Sequence, residues 1–548
     1  MNREPIGHNL TSKVAKLPQG LTPHRGVLPE EFEKMDSVGN KEKNKNPKEA
    51  LEKITAAYLA SNPIQRTDRK INELEIRFHS NTRKYRPLSK IDYDNVVKFL
   101  YSFGFKTDLP QGFHSLRIFH EYMDSRGKMI MSNIRAEIVG MDLIQEYCRT
   151  NSIQKIIDMP STTYDKIKFT QKTLPEYAGE RILPVTFDDF NLKISYQLEQ
   201  NSTARSDFIR GILEKWTEKH KTFRYLNRVR FHHPDLPIFA DISIVRSSKT
   251  SRGEPVKTYD IQESGVFQGV EKYEIEMEID NDRVGTGTNY NTTKKLVDLI
   301  RKTIRIVLSG LQGTHYPISY SEKDDLLFNY MRLIKGEDYQ RGRVQNRDFI
   351  GPSSVTLQIE NIMDTSVQRS SLPNITANYT VTDKADGERR LLFIDNTGKI
   401  YMIDNNMNVI FTGAKTVSKS LFDSLLDGEF IKHDKRKQTI NLYAAFDIYF
   451  INKKNVREFA FAPLDQVSND DEPTEDKKDQ TRYRLQLLQQ FIGRLKPISV
   501  MSSDNSETSK NAQSCDFSIK CKNFCMTTRD VTIFQACSRI MSDIDDGI

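Results

Sequence analysis

Between residues 73 and 280 the chain alternates apolar and polar positions in short runs: ELEIRF, IRAEIVG, NLKISYQLE, RYLNRVRF, FADISIV and YEIEMEID. A period of two marks a strand with one buried face, because successive side chains leave a strand on opposite sides. Many such strands at regular spacing predict an antiparallel barrel or sandwich. Helical spacing appears beside them. From Pro47, the positions Leu51, Ile54, Tyr58 and Leu59 share a face, and DYDNVVKFLYSFGF predicts a second helix with Asp92 as its cap. SDFIRGILEKWTEKH predicts another, capped by Ser206, with Phe208, Ile209, Ile212 and Trp216 on one face and Trp216 in the core. Over 291–310, the spacing of Leu296, Ile300, Ile304, Val307 and Leu308 predicts a helix that closes a first domain.

The polar faces of the strands carry the first chemical signal. In NELEIRF, Glu73, Glu75 and Arg77 share one face and Leu74, Ile76 and Phe78 the other; in YEIEMEID, Glu274, Glu276 and Glu278 oppose Ile275, Met277 and Ile279. Like charges at neighbouring positions of one face repel unless solvent or a cation separates them. A solvated acidic face accounts for either motif alone. Glutamates two apart on two strands also suit one Mg²⁺ or Mn²⁺ ion, a hard cation that prefers carboxylate oxygen. Basic alternation elsewhere favours the second account: Arg228 and Arg230 share a face of LNRVRF, Lys193 and Ser195 a face of NLKIS, and Arg135 lies in NIRAEI. The pattern predicts a barrel whose apolar faces point outward into packed helices and whose charged faces line a tunnel. Such a lining suits a metal-bound phosphate chain, with guanidinium and ammonium groups on the phosphate oxygens.

Composition changes this picture little. A chain of 548 residues with 37% hydrophobic and 28% charged residues exceeds what one core supports, so two or more domains are expected. The net charge of +7 permits a polyanionic partner without requiring one. No apolar run approaches the roughly 20 residues of a spanning helix, and the first residues lack the apolar stretch of a secretory signal. Five cysteines are too few for a disulfide framework and point to a reducing, intracellular setting. Residues 1–46 mix Lys, Asn, Pro and Glu without hydrophobic period and read as a disordered leader.

Beyond a polar, mixed-charge segment at 313–350, the stretch VTDKADGERRLLFI sets Lys384 between an apolar run and an acidic turn with Gly387, followed by Arg389 and Arg390. A lysine amine attacks only when deprotonated, a form that nearby cations or desolvation favour. Arg389, Arg390 and any bound Mg²⁺ would supply that charge, and Gly387 a tight turn. A solvated turn between strands has the same letters, so the rest of the region decides. SLLDGEFI places Glu429 at the end of a second Asp-Gly turn, and NLYAAFDIYFI reads as a buried strand carrying Phe446 and Asp447.

Two families resemble these motifs. ELEIRF and YEIEMEID resemble the glutamate strands of metal-dependent, tunnel-type RNA triphosphatases, which remove the γ-phosphate from nascent RNA 5′ ends. The resemblance implies Glu73 and Glu75 as one metal-binding pair, Glu276 and Glu278 as the other, and Glu274 in support. It implies Arg135, Lys172, Glu199, Arg228 and Arg230 as further tunnel positions, with Glu199 orienting the attacking water. Lys-x-Asp-Gly at 384–387, Asp-Gly-Glu at 427–429 and Phe-Asp at 446–447, in that order, resemble the covalent nucleotidyltransferases: mRNA guanylyltransferases and polynucleotide ligases. By that resemblance Lys384 attacks the α-phosphate of GTP from a turn with Asp386 and Gly387. Arg389 then binds ribose or phosphates, Glu429 the ribose or metal side, and Phe446 stacks on guanine. Together the motif sets, over about residues 65–548, resemble the bifunctional mRNA-capping enzymes of large cytoplasmic DNA viruses.

The combined resemblance implies an α+β fold: an antiparallel triphosphate-tunnel barrel over 47–312, a linker over 313–350, and a mixed α/β, ATP-grasp-like nucleotidyltransferase domain over 351–548. It implies 5′-triphosphate RNA and GTP as substrates, Mg²⁺ or Mn²⁺ as cofactor, and an RNA polymerase and a cap methyltransferase domain or subunit as partners. It also implies a cytoplasmic viral factory or virion as location, and no membrane. Asp546, Gly547 and Ile548 resemble the start of a further motif, so an oligonucleotide-binding lid and a later lysine strand are expected beyond them or on another chain. Lys520 and Lys522 in FSIKCKNF fit either phosphate contacts or a charged edge strand. Cys515, Cys521, Cys525 and Cys537 lack a C-x2-C pair, which argues against zinc. Gly285 to Gly287 read as a loop, and 468–482 and 502–514 as surface insertions. An ATP-dependent polynucleotide ligase would share Lys384 but leaves the glutamate strands unexplained, and a non-catalytic RNA-end-binding scaffold leaves Lys384, Glu429 and the carboxylates without a task.

Overall fold

The computed structural model describes residues 46–544 except 66–69, 80, 82–83, 125, 160–165, 204–205, 365–372, 377, 464–481, 501–514 and 529. The leader over 1–45, residues 546–548 and the two insertions, Arg482 apart, lie outside the described residues.

Eight strands close into an antiparallel barrel: β1 (Lys70–Phe78), β2 (Phe113–Met123), β3 (Met129–Val139), β4 (Ile167–Thr173), β5 (Leu192–Ser202), β6 (Lys221–His232), β7 (Ile238–Ser247) and β8 (Lys272–Ile279). Their order around the barrel is β1-β8-β7-β6-β2-β3-β4-β5, and β5 pairs back onto β1 with Glu75 opposite Ser195. Closure leaves no barrel edge exposed. It also forces the alternation to choose an inside and an outside.

The apolar positions went outside, as the alternation predicts. Leu74, Ile76 and Phe78 of β1, Ile275 and Met277 of β8 and Ile194 and Tyr196 of β5 are buried beneath three helices. These are α1 (Pro47–Ala60), α2 (Lys90–Ser102) and α6 (Thr293–Gln312). On the opposite wall Leu116, Ile118, Ala136, Ile138 and Phe169 pack under α3 (Met141–Thr150) and α4 (Ile153–Ile157). Each such side chain removed from water contributes about 1.5–3 kcal/mol. Helix α6 passes so close to α2 that a Cβ on Gly310 would stand 2.8 Å from the Val96 Cα.

Two helix expectations change. Ser89, not Asp92, caps α2: Asp92 lies three residues further in, accepts from the Ser89 backbone N–H at 2.8 Å and completes a capping box. Arg86 also donates to both Asp92 oxygens, at 2.5 and 2.9 Å. The Trp216 segment is not one helix. Helix α5 (Asp207–Leu213), capped by Ser206 as expected, stops, Lys215 turns left-handed at φ 57°, and Trp216–Glu218 form a separate 3₁₀ turn. The break leaves Phe208 62% exposed while Trp216 still reaches the core, its indole N–H donating to the Tyr147 hydroxyl at 3.1 Å. Lys221, with no exposed surface, holds the turn by donating to the Trp216 carbonyl at 2.8 Å.

The second unit is a twisted sheet with a helix on each face. Strands β9 (Glu388–Ile394), β10 (Lys399–Ile403), β11 (Val409–Lys415), β12 (Ser424–His433) and β13 (Thr439–Ile451) lie in the order β13-β12-β9-β10-β11, all antiparallel. Strand β14 (Ser518–Cys521) adds to β13 in parallel. One face packs Leu392, Ile394, Leu426 and Ile448 against Leu488 and Phe491 of α8 (Arg484–Arg494). The other packs Leu391, Phe393, Leu425 and Tyr449 against Leu326, Tyr330 and Met331 of α7 (Tyr320–Lys335). The expected linker over 313–350 is therefore not a linker throughout. Its apolar residues fall at helical spacing among charges, Ser319 caps the helix, and Glu322 accepts from Lys399 at 2.8 Å and Tyr401 at 2.7 Å. The units touch where Tyr85 stacks on Tyr320 and Ser321 donates to Asp189. No helix among the described residues is long and apolar enough to cross a membrane.

Candidate active sites

The barrel interior collects the charged faces, and strand register decides who meets whom. Across β1 and β8, Glu75 stands opposite Glu278 and Arg77 opposite Glu276; across β7, Asp241 pairs with Glu276 on one side and Arg230 on the other. Arg228 reaches over β7, donating to Asp241 at 2.7 Å, Glu276 at 2.8 Å and Ser243 at 3.0 Å. Arg230 donates to Asp241 at 2.7 Å and Glu278 at 2.8 Å, and Arg77 contacts Glu276 at 2.5 Å and Glu75 at 3.2 Å. On the other wall Lys172 holds Glu73 and, at 3.1 Å, Glu199, whose carboxylate also meets Arg135 at 3.4 Å. Glu73, Lys172, Glu199 and Arg135 thus stand together on this wall.

Glu274 stands apart from the expected ligand set, because both its oxygens accept from Arg224, at 2.7 and 2.8 Å. The remaining glutamates divide by electrostatics. Burial pushes the Glu73, Glu75 and Glu278 carboxyls above the ordinary carboxylate range, and for Glu75 the charge on Glu276 adds to it. Burial acts on Glu276 too, but Arg77 and Arg228 outweigh it and hold this carboxyl low. Glu75, which is buried, and Glu73 and Glu278, which are partly buried, form a donor set of carboxylates, with Glu75 and Glu278 paired across adjacent strands, whose chemistry fits a hard divalent cation. As the side chains stand, no three such groups converge on one point among the described residues. Binding would draw them away from their arginine and lysine partners.

The sequence reading singled out neither Arg117 and Glu137, paired at 2.9 Å, nor Asp241, 3% exposed and bridging two arginines. Burial would raise Glu137, but Arg117 and Arg135 hold it at about 2. Their signal was present: Arg117 and Glu137 face each other in the register of β2 and β3, and Asp241 is the one charge in FADISIV. Arg135 keeps a buried Nε without a hydrogen-bond partner, which suits an anion between it and Lys172.

In the second unit, Lys384 is exposed in the loop between Thr380–Val381 and β9. Register sets a row across four strands, Arg389 opposite Glu429, Glu429 opposite Ala444 and Ala444 opposite Lys520, all on one face. A bulge between Asp427 and Gly428 accommodates Phe446, which lies 5.7 Å from the Arg389 guanidinium carbon. One Glu429 oxygen is buried without a hydrogen-bond partner, as expected of a group awaiting a ligand. Gly387 works differently from expectation: its φ is not left-handed, but a Cβ there would meet the Phe430 carbonyl at 2.8 Å, so glycine is needed for close approach to β12.

Arg389 also departs from its expected freedom. Its guanidinium donates to Asp427 at 3.1 and 2.5 Å and to the Pro352 carbonyl at 2.5 Å, while Tyr449 donates to the same carboxylate at 2.6 Å. Asp427 has no exposed surface. Asp427→Asn should therefore cost on the order of 2–3 kcal/mol, less than the ~3–5 of a fully buried pair because Arg389 keeps 31% of its side chain in solvent. A urea melt followed by tyrosine fluorescence checks this, and an unchanged midpoint would show the pair contributes nothing.

Residues 363–503 match the family model described as mRNA capping enzyme, catalytic domain. Over 189 residues, 34% of this chain, the sequence is 29% identical to a probable mRNA-capping enzyme of Acanthamoeba polyphaga mimivirus, and the match spans 13% of that relative. A solved mimivirus capping enzyme triphosphatase aligns over 98% of its own length and 48% of this chain, at 12% identity and a TM-score of 0.29. By the sequence matches, the chain is similar to mRNA-capping enzymes, one of them viral, and the family-model match covers the unit that carries Arg389, Glu429 and Phe446.

Proposed function

We propose that the protein caps RNA 5′ ends in two steps on two sites. The observation that carries the reading is the inside-out barrel: apolar faces buried outward under helices, and glutamates, arginines and lysine interleaved inside, an arrangement suited to an extended triphosphate. In the barrel, Arg135, Lys172, Arg228 and Arg230 hold phosphate oxygens, and Glu199, between Arg135 and Lys172, orients the attacking water. The oxygen–phosphorus bond forms at the γ-phosphate, the bond to the β-phosphate oxygen breaks, and inorganic phosphate leaves. Glu73, Glu75 and Glu278, with Glu276 adjoining, would hold Mg²⁺ or Mn²⁺, which when bound supplies positive charge to the triphosphate.

In the second unit the Lys384 amine attacks the α-phosphorus of GTP, a phosphorus–nitrogen bond forms and pyrophosphate leaves. The diphosphate end of the RNA then takes GMP, and the lysine is released. Phe446 supplies a face for the guanine, and Arg389 and Glu429 flank the ribose and phosphates. On this reading an RNA polymerase supplies the substrate and a cap methyltransferase consumes the product, in the cytoplasm of an infected cell. The protein incubated separately with α-labelled GTP and ATP should take covalent label from GTP alone. Label from ATP and none from GTP would replace this reading with nucleic-acid ligation.

A further inference from the structure

The segment after β14 grips the loop that carries Lys384. Thr380–Val381 pair with Cys525–Met526, the Thr382 hydroxyl donates to the Asn523 carbonyl at 2.7 Å, and the Lys522 ammonium donates to the carbonyl of Asp383. Lys522 is itself fixed, its backbone N–H donating to Ala445 at 2.8 Å, one residue from Phe446. The Asp383 carbonyl belongs to the peptide bond that begins Lys384. One side chain thus ties the nucleophile loop to the strand that holds Phe446, and the last anchor before Lys384 is a charged hydrogen bond.

We propose that Lys522 is a positioning residue for nucleotidyl transfer, fixing the Asp383–Lys384 peptide so that the Lys384 amine points at the α-phosphate. This rests on the guanylyltransferase reading above. Misplacing an attacking group by about 1 Å costs on the order of a hundredfold in rate while substrate binding persists. Lys522 lies just past the end of β14, where a lysine needs no such contact for solubility.

The test is Lys522→Met against Lys522→Arg, the latter retaining a donor for the Asp383 carbonyl. Lys522→Met should slow covalent labelling by GTP roughly tenfold to a hundredfold with little change in the GTP concentration for half-maximal rate. Lys522→Arg should recover most of the rate, and phosphate release by the barrel should not change. Amide hydrogen exchange over 382–387 should quicken in Lys522→Met and return in Lys522→Arg. Unchanged exchange in that loop, or a labelling rate equal to that of the parent protein, overturns the proposal. Absence of any label on the parent protein would instead refute the guanylyltransferase reading, and the exchange result would still decide whether Lys522 holds the loop.

Discussion

Glu75→Gln should lower divalent-dependent γ-phosphate release from triphosphate RNA by about 10²–10³-fold while the protein stays folded. Glu75 faces the barrel interior opposite Glu278, and its one arginine contact, Arg77, is shared with Glu276. Glutamine keeps the volume and an acceptor for Arg77 but removes the anionic oxygens that a divalent cation needs. Glu276 is a less clean choice, because Arg77 and the buried Arg228 both pair with it, so Glu276→Ala would also remove one partner from each guanidinium. The measurement is phosphate release with Mg²⁺ or Mn²⁺, beside a thermal melt. Near-parent activity at both metals would mean that Glu75 is an ordinary member of the ion-pair lattice.

The barrel was legible because alternation is local: a period of two names the faces of each strand, and repeated charge on one face names the inside. Closure between β1 and β5 was not, since it pairs residues about 120 positions apart, as in Glu75 with Ser195. The same limit explains Lys520 and Lys522. Their alternation left phosphate contact and charged edge equally open, and the parallel pairing with Ala444 and Ala445 settles only which strand they join. Helix α7 was hidden for another reason. Leu326, Tyr330 and Met331 are spaced for a helix, but Leu327, Phe328, Leu333 and Ile334 put apolar residues on the other faces as well, so no single apolar stripe stands out between the charged flanks. The nucleotide-site motifs were readable as letters, whereas the bulge at Phe446 and the Arg389–Asp427 pair depend on register shifts that letters do not carry.

Lys384→Ala should eliminate covalent GMP attachment and leave phosphate release intact, because the nucleophile is lost from one unit while the barrel is untouched. Lys384 is exposed, so stability should move by no more than about 0.5 kcal/mol. Lys384→Arg should fail equally, since a guanidinium stays protonated and cannot attack. The cations expected to favour the free amine are less available than the sequence suggests. Arg389 is spent on Asp427, and Arg390 lies against Glu388 and, at 3.5 Å, Asp404. The ammonium of Lys522, on the carbonyl next to Lys384, is the positive charge the fold places nearest to that peptide among the described contacts. Labelling that survives Lys384→Ala would move the covalent site elsewhere. Labelling lost together with phosphate release would mean that the two units do not act independently.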